Sequence, residues 1–331
     1  MKVLVLGGAG YIGSQAVRAL SARGHQVWVY DNLSMGHRQS VPSNQLIIGD
    51  LADQALLDHT LLLHQIEAVM HFAAFAYVGE SVHHPDKYYQ NNVVNTLHLF
   101  DALKRHHIRK IVFSSSCATY GIPATIPITE ETQQHPINPY GRTKLIIEQA
   151  LADYAQAYGW SYAALRYFNA SGASADGSLG EDHTPETHLI PLVFHAIQGK
   201  IPYLEIFGDD YPTPDGTCIR DYIHVEDLAS AHVLALEKLA DRTHLKLNLG
   251  IGQGYSVKKV IETVEKITGK KVPIRISPRR AGDPPELIAA PAKAIRELNW
   301  KPRYIDLESI IETAWRWHRD HPNGYGKMSK S

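Results

Sequence analysis

Tyr140 and Lys144 are the residues whose types and spacing point most directly to chemistry. They are four residues apart, so on a helix both side chains lie on one face, one turn apart. A nearby ammonium group stabilises the phenolate form of tyrosine and lowers its pKa from about 10. Such a pair predicts a general base that removes a proton from a hydroxyl group. A surface helix with one tyrosine and one solvated lysine has the same spacing, so the surrounding elements must decide.

A glycine-rich turn at the start of the chain predicts a dinucleotide site. Residues 3–6 form a short apolar run, the first predicted strand, and Gly7, Gly10 and Gly13 follow it as a helical pattern begins. These glycines allow a tight turn and a close approach of the backbone to a pyrophosphate, which the helix N-terminus attracts. A plain strand–turn–helix connection without a ligand is the alternative.

The second predicted strand, 26–30, leads into Asp31, 18 residues after Gly13. An acidic residue at this place bonds the adenosine ribose hydroxyls and repels a 2′-phosphate, which predicts NAD as the cofactor. Arg38 is the counter-argument, because an arginine near this strand end accommodates that phosphate. Asp50, after the third predicted strand, either accepts a hydrogen bond from the adenine amino group or caps a helix.

Alternating strands and helices predict an α/β fold, a doubly wound parallel Rossmann sheet with a smaller C-terminal α/β substrate lobe. Further strands are expected at 46–48, 67–72, 111–114 and 162–165, and long helices at 85–105 and 139–158. Ligands bind beyond the carboxyl ends of the strands in such sheets. Residues from five strand ends should therefore meet at one edge: Gly7, Asp31, Ala73, Ser116 and Asn169.

The predicted domain boundary lies near residue 167. Residues 1–167 are expected to form the NAD-binding domain and 168–331 a smaller substrate-binding lobe, with segments near 215–250 rejoining the first domain. Expected late elements are helices near 192–198, 225–240, 256–268, 291–298 and 307–317, and strands near 203–207, 246–249 and 273–276. Arg220 and Arg280 suit a diphosphate, which guanidinium groups bind in bidentate fashion. Surface salt bridges account equally well for either arginine alone.

The composition argues against several classes of function. The chain has 331 residues, 44% hydrophobic and 20% charged, a formal net charge of -1 and two cysteines. That balance argues against a nucleic-acid or anionic membrane partner, and the longest apolar run is too short to span a bilayer. The N-terminus shows no signal-peptide pattern, and two cysteines imply no disulfide framework, so a cytoplasmic protein is expected.

The 19 histidines do not form a familiar metal-binding motif. The adjacent pairs His83–His84 and His106–His107 point to different faces of a helix, and neither His-Glu-x-x-His nor Cys-x-x-Cys occurs. We therefore expect solvated surface histidines and no metal.

The two long predicted helices, 85–105 and 139–158, each carry an apolar stripe. Such a stripe belongs either to the core or to a four-helix bundle between two copies of the chain. A homodimer is the expected assembly.

Several segments resemble the extended short-chain dehydrogenase/reductase family, and within it the nucleotide-sugar epimerases. The resemblance covers nearly the whole chain and rests on residues 7–13, 31–33, 71–74, 78–81, 114–121, 138–144, 165–169, 220–225 and 297–300. It implies tightly held NAD and reversible epimerisation at C4 of a UDP-hexose, UDP-glucose or UDP-galactose, through a transient 4-keto intermediate.

The resemblance also assigns roles to single residues. Tyr140 is implied as the base, Lys144 as the ligand of the nicotinamide ribose, and Ser116 as the partner of the sugar hydroxyl. The residues implied to bind NAD are Gly7, Gly10, Tyr11, Ile12, Gly13, Asp31, Asn32, Asp50, Leu51, Phe72, Ala73, Ala74, Asn91, Ser114, Tyr140, Lys144, Tyr167 and Phe168. Those implied to bind the UDP-sugar are Ser116, Tyr140, Asn169, His188, Leu189, Arg220, Tyr222, Arg280, Asp283 and Leu287.

Three positions bear on how far the resemblance extends. Many members have a lysine where Ala76 stands and an asparagine where His188 stands. Leu287 is smaller than the tyrosine that excludes an N-acetyl group at this position in the family, so UDP-N-acetylglucosamine is an expected second substrate.

The alternatives are another nucleotide-sugar enzyme of the family, a 4,6-dehydratase or a decarboxylase, and a dinucleotide-sensing protein without catalysis. A dehydratase is disfavoured because Cys117 and Ala118 stand where its acidic pair would be. A sensor is disfavoured because Tyr140 and Lys144 are both present.

Overall fold

A computed structural model describes residues 1–280 and 282–326 of the chain. Its strands are β1 (Lys2–Leu6), β2 (Gln26–Asp31), β3 (Leu46–Ile48), β4 (Ala68–His71), β5 (Lys110–Ser116), β6 (Ser161–Tyr167), β7 (Asn169–Ser171), β8 (Leu204–Phe207), β9 (Ile219–His224), β10 (His244–Leu249), β11 (Gly254–Ser256), β12 (Ile274–Ser277) and β13 (Glu286–Leu287). Its α-helices are α1 (Tyr11–Ala22), α2 (Gln54–Leu63), α3 (Val78–His83), α4 (Pro85–Tyr88), α5 (Asn95–Arg105), α6 (Pro139–Tyr158), α7 (Leu189–Ile197), α8 (Val225–Lys238), α9 (Val257–Thr268), α10 (Ala292–Leu298) and α11 (Leu307–Asp320). A π-helical segment, Tyr89–Val94, joins α4 to α5, and short 3-10 turns lie at Arg38–Ser40, Ser43–Gln45 and Cys117–Thr119.

The central sheet has seven strands in the order β3-β2-β1-β4-β5-β6-β10. Every pairing in it is parallel. The predicted doubly wound α/β fold is therefore confirmed. Because all carboxyl ends lie on one side, the sheet has a single edge at which residues from distant parts of the chain can meet.

Alternate side chains of the strands enter two separate cores. In β1, Val3 and Val5 pack on the side of α1, α8 and α10, whereas Leu4 and Leu6 pack on the side of α2, α5 and α6. Burial on both faces explains why β1 is a continuous apolar run, as parallel strands covered by helices usually are.

The second lobe has its own core and two small sheets. One sheet has the order β11-β9-β13 with β7 on β9, and the other pairs β12 with β8. Apolar side chains of α7, α9 and α11 pack together beneath them. The strands predicted from the sequence do not include β7, β9, β11 and β13. These strands are two to six residues long and mix polar with apolar side chains, so they lack the alternation that indicates a strand.

The helix predicted at 85–105 is interrupted, contrary to expectation. Its π-helical segment carries Asn92, which is 3% exposed. The Asn92 amide accepts a hydrogen bond from Phe75 N (2.9 Å), donates to Phe75 O (2.9 Å) and donates to Thr143 Oγ1 (3.2 Å). The wider π-helical turn thus directs the polar Asn92 side chain inward, where its hydrogen bond to Thr143 connects the π-helical segment to α6. None of the described helices is long and apolar enough to cross a membrane.

Candidate active site

Helix α6 brings Tyr140 and Lys144 to the carboxyl edge of the sheet, and both side chains are buried. The helix begins at Pro139, and the Asn138 side chain caps it by accepting a hydrogen bond from Gly141 N at 2.8 Å. A Cβ atom on Gly141 would lie 2.4 Å from the carbonyl oxygen of Ala118. Only glycine therefore allows the helix to pack this closely on the turn after β5.

The same edge carries the serines of β5, which extends to Ser116 rather than ending at residue 114 as predicted. Ser116 lies beside Tyr167 in the parallel register, and its hydroxyl accepts a hydrogen bond from Ala118 N at 3.1 Å. Lys144 Nζ donates to the carbonyl oxygen of Ser114 at 2.7 Å. The Ser116 hydroxyl is close enough to Tyr140 to favour its phenolate. The three residues predicted as catalytic therefore lie together.

The electrostatics of this cluster differ from the simple expectation. Burial raises the pKa of Tyr140 well above its usual value, and only the neighbouring Ser116 hydroxyl opposes this among the main influences. Burial also lowers the pKa of Lys144 to about 7. Lys144 Nζ lies 5.8 Å from the centroid of the Tyr140 ring. The side chains alone thus hold a neutral phenol, and an activated base requires positive charge from a bound group.

The glycine turn between β1 and α1 has the form of an anion cradle. A Cβ atom on Gly7 would lie 2.6 Å from Ala73 N, and one on Gly13 would lie 2.2 Å from the carbonyl oxygen of Gly7. At these two positions only glycine leaves room for the neighbouring backbone of the protein itself. A Cβ atom on Gly10 would meet only Gly7 O, at 3.4 Å, and no described side chain caps the N-terminus of α1. Free backbone N–H groups at that open end suit a pyrophosphate.

Asp31, at the end of β2, is 7% exposed. Its Oδ2 accepts a hydrogen bond from Ala9 N at 2.9 Å and its Oδ1 from Leu33 N at 2.8 Å. Burial raises the pKa of this carboxyl even though both amides oppose the shift. Each carboxylate oxygen has two lone pairs, so further donors such as ribose hydroxyls can still bind. Asn32 Nδ2 donates to Asp50 Oδ2 at 2.7 Å and joins the ends of β2 and β3.

The other residues predicted to bind the cofactor lie near the same edge. The Tyr11 hydroxyl donates to Gly172 O at 2.6 Å, and the Phe72 ring packs 4.8 Å from that of His232. The Tyr167 hydroxyl and Ser114 Oγ are 2.6 Å apart. Ala73 and Ala74 follow β4. The Asn91 side-chain amide donates a hydrogen bond to the Asn92 side-chain oxygen. Ile12, Leu51 and Phe168 pack into apolar clusters.

Strand β9 of the second lobe carries two of the predicted substrate residues, Arg220 and Tyr222. Arg220 forms an ion pair with Asp283 and lies opposite Leu287, while Tyr222 lies opposite Asn169. Leu287 and Cys117, the neighbour of Ser116, pack against one apolar cluster. This side of the second lobe therefore reaches the catalytic edge.

Arg280 and His188 have other surroundings. The Arg280 guanidinium lies 3.9 Å from the centroid of the Phe207 ring. The backbone carbonyl oxygen of Arg280 accepts a hydrogen bond from Asp283 N at 3.3 Å. The two arginines therefore flank the Asp283 turn. His188 precedes Leu189, the first residue of α7, and contacts Glu181 and Glu186.

Two residues that support the site were not found from the sequence. Glu148, one turn after Lys144, forms an ion pair with Arg166 in which both side chains are almost fully buried. Ser81 Oγ accepts a hydrogen bond from Tyr140 N at 3.3 Å. These contacts join residues 18 and 59 positions apart, and a single sequence gives no local signal for them.

The fold and this edge define a class of protein. Residues 3–250 match the family model of the NAD-dependent epimerase/dehydratase family, and the chain belongs to that family.

Its relatives include proteins named UDP-glucose 4-epimerase. One from Halalkalibacterium halodurans is 51% identical over 331 residues, which is 100% of this chain and 99% of that protein. A crystal structure of the Brucella ovis UDP-glucose 4-epimerase in complex with NAD has 54% identity and a TM-score of 0.92, with 96% of this chain and 98% of that chain covered. The structure of the Bifidobacterium longum enzyme with NAD+ and UDP has 39% identity and a TM-score of 0.94, with 98% and 100% covered.

Proposed function

We propose that the protein is a UDP-glucose 4-epimerase that interconverts UDP-glucose and UDP-galactose with tightly bound NAD. The observation that carries the proposal is the meeting of Tyr140, Ser116 and Lys144 beside an uncapped glycine turn. A 4,6-dehydratase is not favoured, because Cys117 and Ala118, the two residues directly after Ser116, are not acidic. Full-length relatives of this name support the same activity.

Each catalytic residue has a defined task in this proposal. Ser116 holds the 4-hydroxyl group of the sugar, and Tyr140 removes its proton and later returns it. Lys144 orients the nicotinamide ribose while its Nζ stays bonded to Ser114 O. Bound NAD supplies the hydride acceptor for C4 and a positive charge near the phenol. Arg220, Asp283, Tyr222, Asn169, Leu189 and Arg280 hold the UDP group.

The activity can be tested directly with purified protein. Incubation with UDP-galactose and no added NAD should yield UDP-glucose in the ¹H NMR spectrum. A 4-keto-6-deoxy product would show a dehydratase instead, and unchanged UDP-galactose would contradict the proposal.

We expect NAD, not NADP, in the protein as purified. The buried Asp31 carboxylate would repel a 2′-phosphate, while Arg38 is exposed in a 3-10 turn. Mass spectrometry of the cofactor released by heat or acid identifies the species. NADP as the main species would show that Arg38 outweighs Asp31.

We also expect activity on UDP-N-acetylglucosamine. Leu287 is half-buried and packs against the same apolar cluster as Cys117, and leucine leaves more room than tyrosine. Forcing a group against a ring costs about 1–3 kcal/mol, so Leu287→Tyr should lower kcat/KM for the N-acetyl sugar, relative to UDP-glucose, roughly ten- to a hundredfold.

Glu286→Gln is the matched control, because adjacent strand residues point to opposite faces. Residue 287 is not the determinant if the wild-type protein shows no activity on the N-acetyl sugar, or if Leu287→Tyr leaves the ratio of the two kcat/KM values unchanged.

Assembly and location complete the proposal. Two helices, α5 and α6, are expected to form a four-helix bundle between subunits. Leu97 on α5 and Ile146 on α6 are half-buried apolar side chains. We expect sedimentation at micromolar concentration to show a homodimer, and a monomer would contradict this expectation.

Cys117 and Cys218 are free thiols, as is usual for a cytoplasmic protein. The reaction belongs to galactose metabolism.

A further inference from the structure

The loop between β7 and α7 contains four side chains that face one another. Glu181, His183, Glu186 and His188 each direct a nitrogen or oxygen atom to one place, and these four atoms all lie within 4.8 Å of one another. The four side chains approach one another closely: His188 Nδ1 is 2.8 Å from Glu181 Oε1 and 2.9 Å from Glu186 Oε1. His183 Nδ1 is 3.3 Å from Glu181 Oε1 and 3.5 Å from Glu186 Oε2.

The separations at His183 Nδ1, 3.3 and 3.5 Å, match those around a small tetrahedral ion, and the separations at His188 Nδ1, 2.8 and 2.9 Å, are shorter. Ligand atoms placed about 2.0–2.1 Å from Zn²⁺ lie roughly 3.3–3.4 Å from each other in a tetrahedron. Two imidazoles and two carboxylates are a donor set that Zn²⁺ accepts. Two carboxylates also balance the charge of one divalent ion, so no net charge would be buried.

A second observation is that one nitrogen atom of the cluster lacks a hydrogen-bond partner. His183 Nδ1 is buried and has no hydrogen-bond partner among the described residues. The two carboxylate side chains are only 6% and 5% exposed. A buried imidazole nitrogen without a partner is costly, and an ion at the centre would satisfy it.

The surrounding contacts hold the four side chains in place. Glu186 Oε1 accepts hydrogen bonds from Thr187 N (2.7 Å) and His188 N (2.8 Å). The Tyr77 hydroxyl donates to Pro185 O at 2.9 Å, and Trp317 Nε1 donates to Glu181 O at 3.3 Å. The loop is thus fixed by its own backbone and by residues from two distant segments.

We propose that Glu181, His183, Glu186 and His188 bind one divalent transition-metal ion, with Zn²⁺ the best fit. The ion would connect the start of α7, where Leu189 lies, to the loop beside Tyr11 of the glycine turn, whose ring is 6.2 Å from that of His183. Its role is structural, and four protein ligands leave no open position for catalysis. The proposal replaces the expectation of no metal. These ligands are spaced Glu-x-His-x-x-Glu-x-His, a spacing that differs from adjacent histidine pairs, from His-Glu-x-x-His and from Cys-x-x-Cys.

The competing account is a metal-free ion-pair network. Although burial alone lowers them, the carboxylates raise the pKa of His183 to about 9 and that of His188 to about 10. Two imidazolium groups would then balance two carboxylates. Only a measurement of bound metal separates the two accounts.

The test uses the full-length protein with any affinity tag removed. After dialysis against EDTA, the protein is loaded with Zn²⁺, desalted and analysed by inductively coupled plasma mass spectrometry; a parallel Co²⁺ sample is examined for tetrahedral d–d absorption. We expect about one Zn²⁺ per chain in the wild type and in His83→Gln, whose exposed histidine is the matched control. Glu186→Gln and His183→Gln should bind at least a hundredfold more weakly.

Circular dichroism and the content of bound dinucleotide verify that the variants are folded, and Glu186→Gln keeps the side-chain volume if His183→Gln does not fold. Less than a tenth of an equivalent in the wild type, or equal loading of wild type and both variants, would overturn the proposal. The measured quantity is bound metal, so a negative result would contradict the metal site without bearing on the proposed epimerase activity.

Discussion

Replacing Tyr140 with phenylalanine should lower kcat for UDP-galactose about a thousandfold, since a positioned general base contributes on the order of 10²–10⁴. The substitution removes one oxygen and keeps the ring, which is 7% exposed at the start of α6. The Ser116 hydroxyl favours the Tyr140 phenolate, and a phenylalanine ring has no oxygen that could take the proton of the sugar hydroxyl. Steady-state kinetics with UDP-galactose, at matched NAD content, measure the effect.

The control for this variant is Tyr154→Phe on the same helix. The Tyr154 hydroxyl donates to Asp101 Oδ1 at 3.3 Å on the exposed side, so its loss should leave kcat near the wild-type value. The NAD content of both variants should equal that of the wild type. If kcat of Tyr140→Phe is within tenfold of the wild-type value, Tyr140 is not the general base.

Glu148→Ala should lower the free energy of unfolding by about 3–5 kcal/mol, the usual cost of leaving one member of a buried ion pair alone. Arg166 Nε and a terminal nitrogen donate to the Glu148 carboxylate at 2.9 and 2.6 Å, and Ser115 Oγ donates at 2.5 Å. Without the carboxylate the Arg166 charge, 2% exposed, has no counter-ion. Glu148 also favours the charged form of Lys144, so kcat should fall as well. Urea denaturation at equal NAD content gives the stability.

Two further variants separate the ion pair from general effects on α6. Asp153→Ala lies on the exposed face of the helix and should change stability by less than about 0.5 kcal/mol. The double variant Glu148→Leu with Arg166→Met removes both charges and should be more stable than Glu148→Ala. If Glu148→Ala costs no more than Asp153→Ala, the buried pair does not support the site.

The main sheet was predictable because its signals are local. Residues 3–6 form an apolar run, glycines mark the following turn, and Asp31 ends the next strand; each depends on neighbours within about 20 residues. Parallel pairing then brings these strand ends to one edge. For the same reason the candidate residues Gly7, Asp31, Ser116 and Tyr140 could be named without coordinates.

The remainder depends on contacts between distant residues. The π-helical segment exists where Asn92 reaches Phe75 and Thr143, and no helical periodicity indicates it. Strand β9 was not predicted, because its own sequence has no regular alternation of polar and apolar residues and the strand is defined by its pairing with β7 and β13. The pKa of Lys144 also depends on burial, which residue spacing does not report.

Deuterium at C4 of the sugar tests the central claim most directly. Purified protein is incubated with UDP-[4-²H]glucose in H₂O and, separately, with unlabelled UDP-glucose in ²H₂O. If the hydride leaves C4 and returns to the opposite face of the same sugar, UDP-galactose should retain the label in the first experiment and gain none at C4 in the second. Loss of the label to solvent, or deuterium from ²H₂O at C4, would contradict the account.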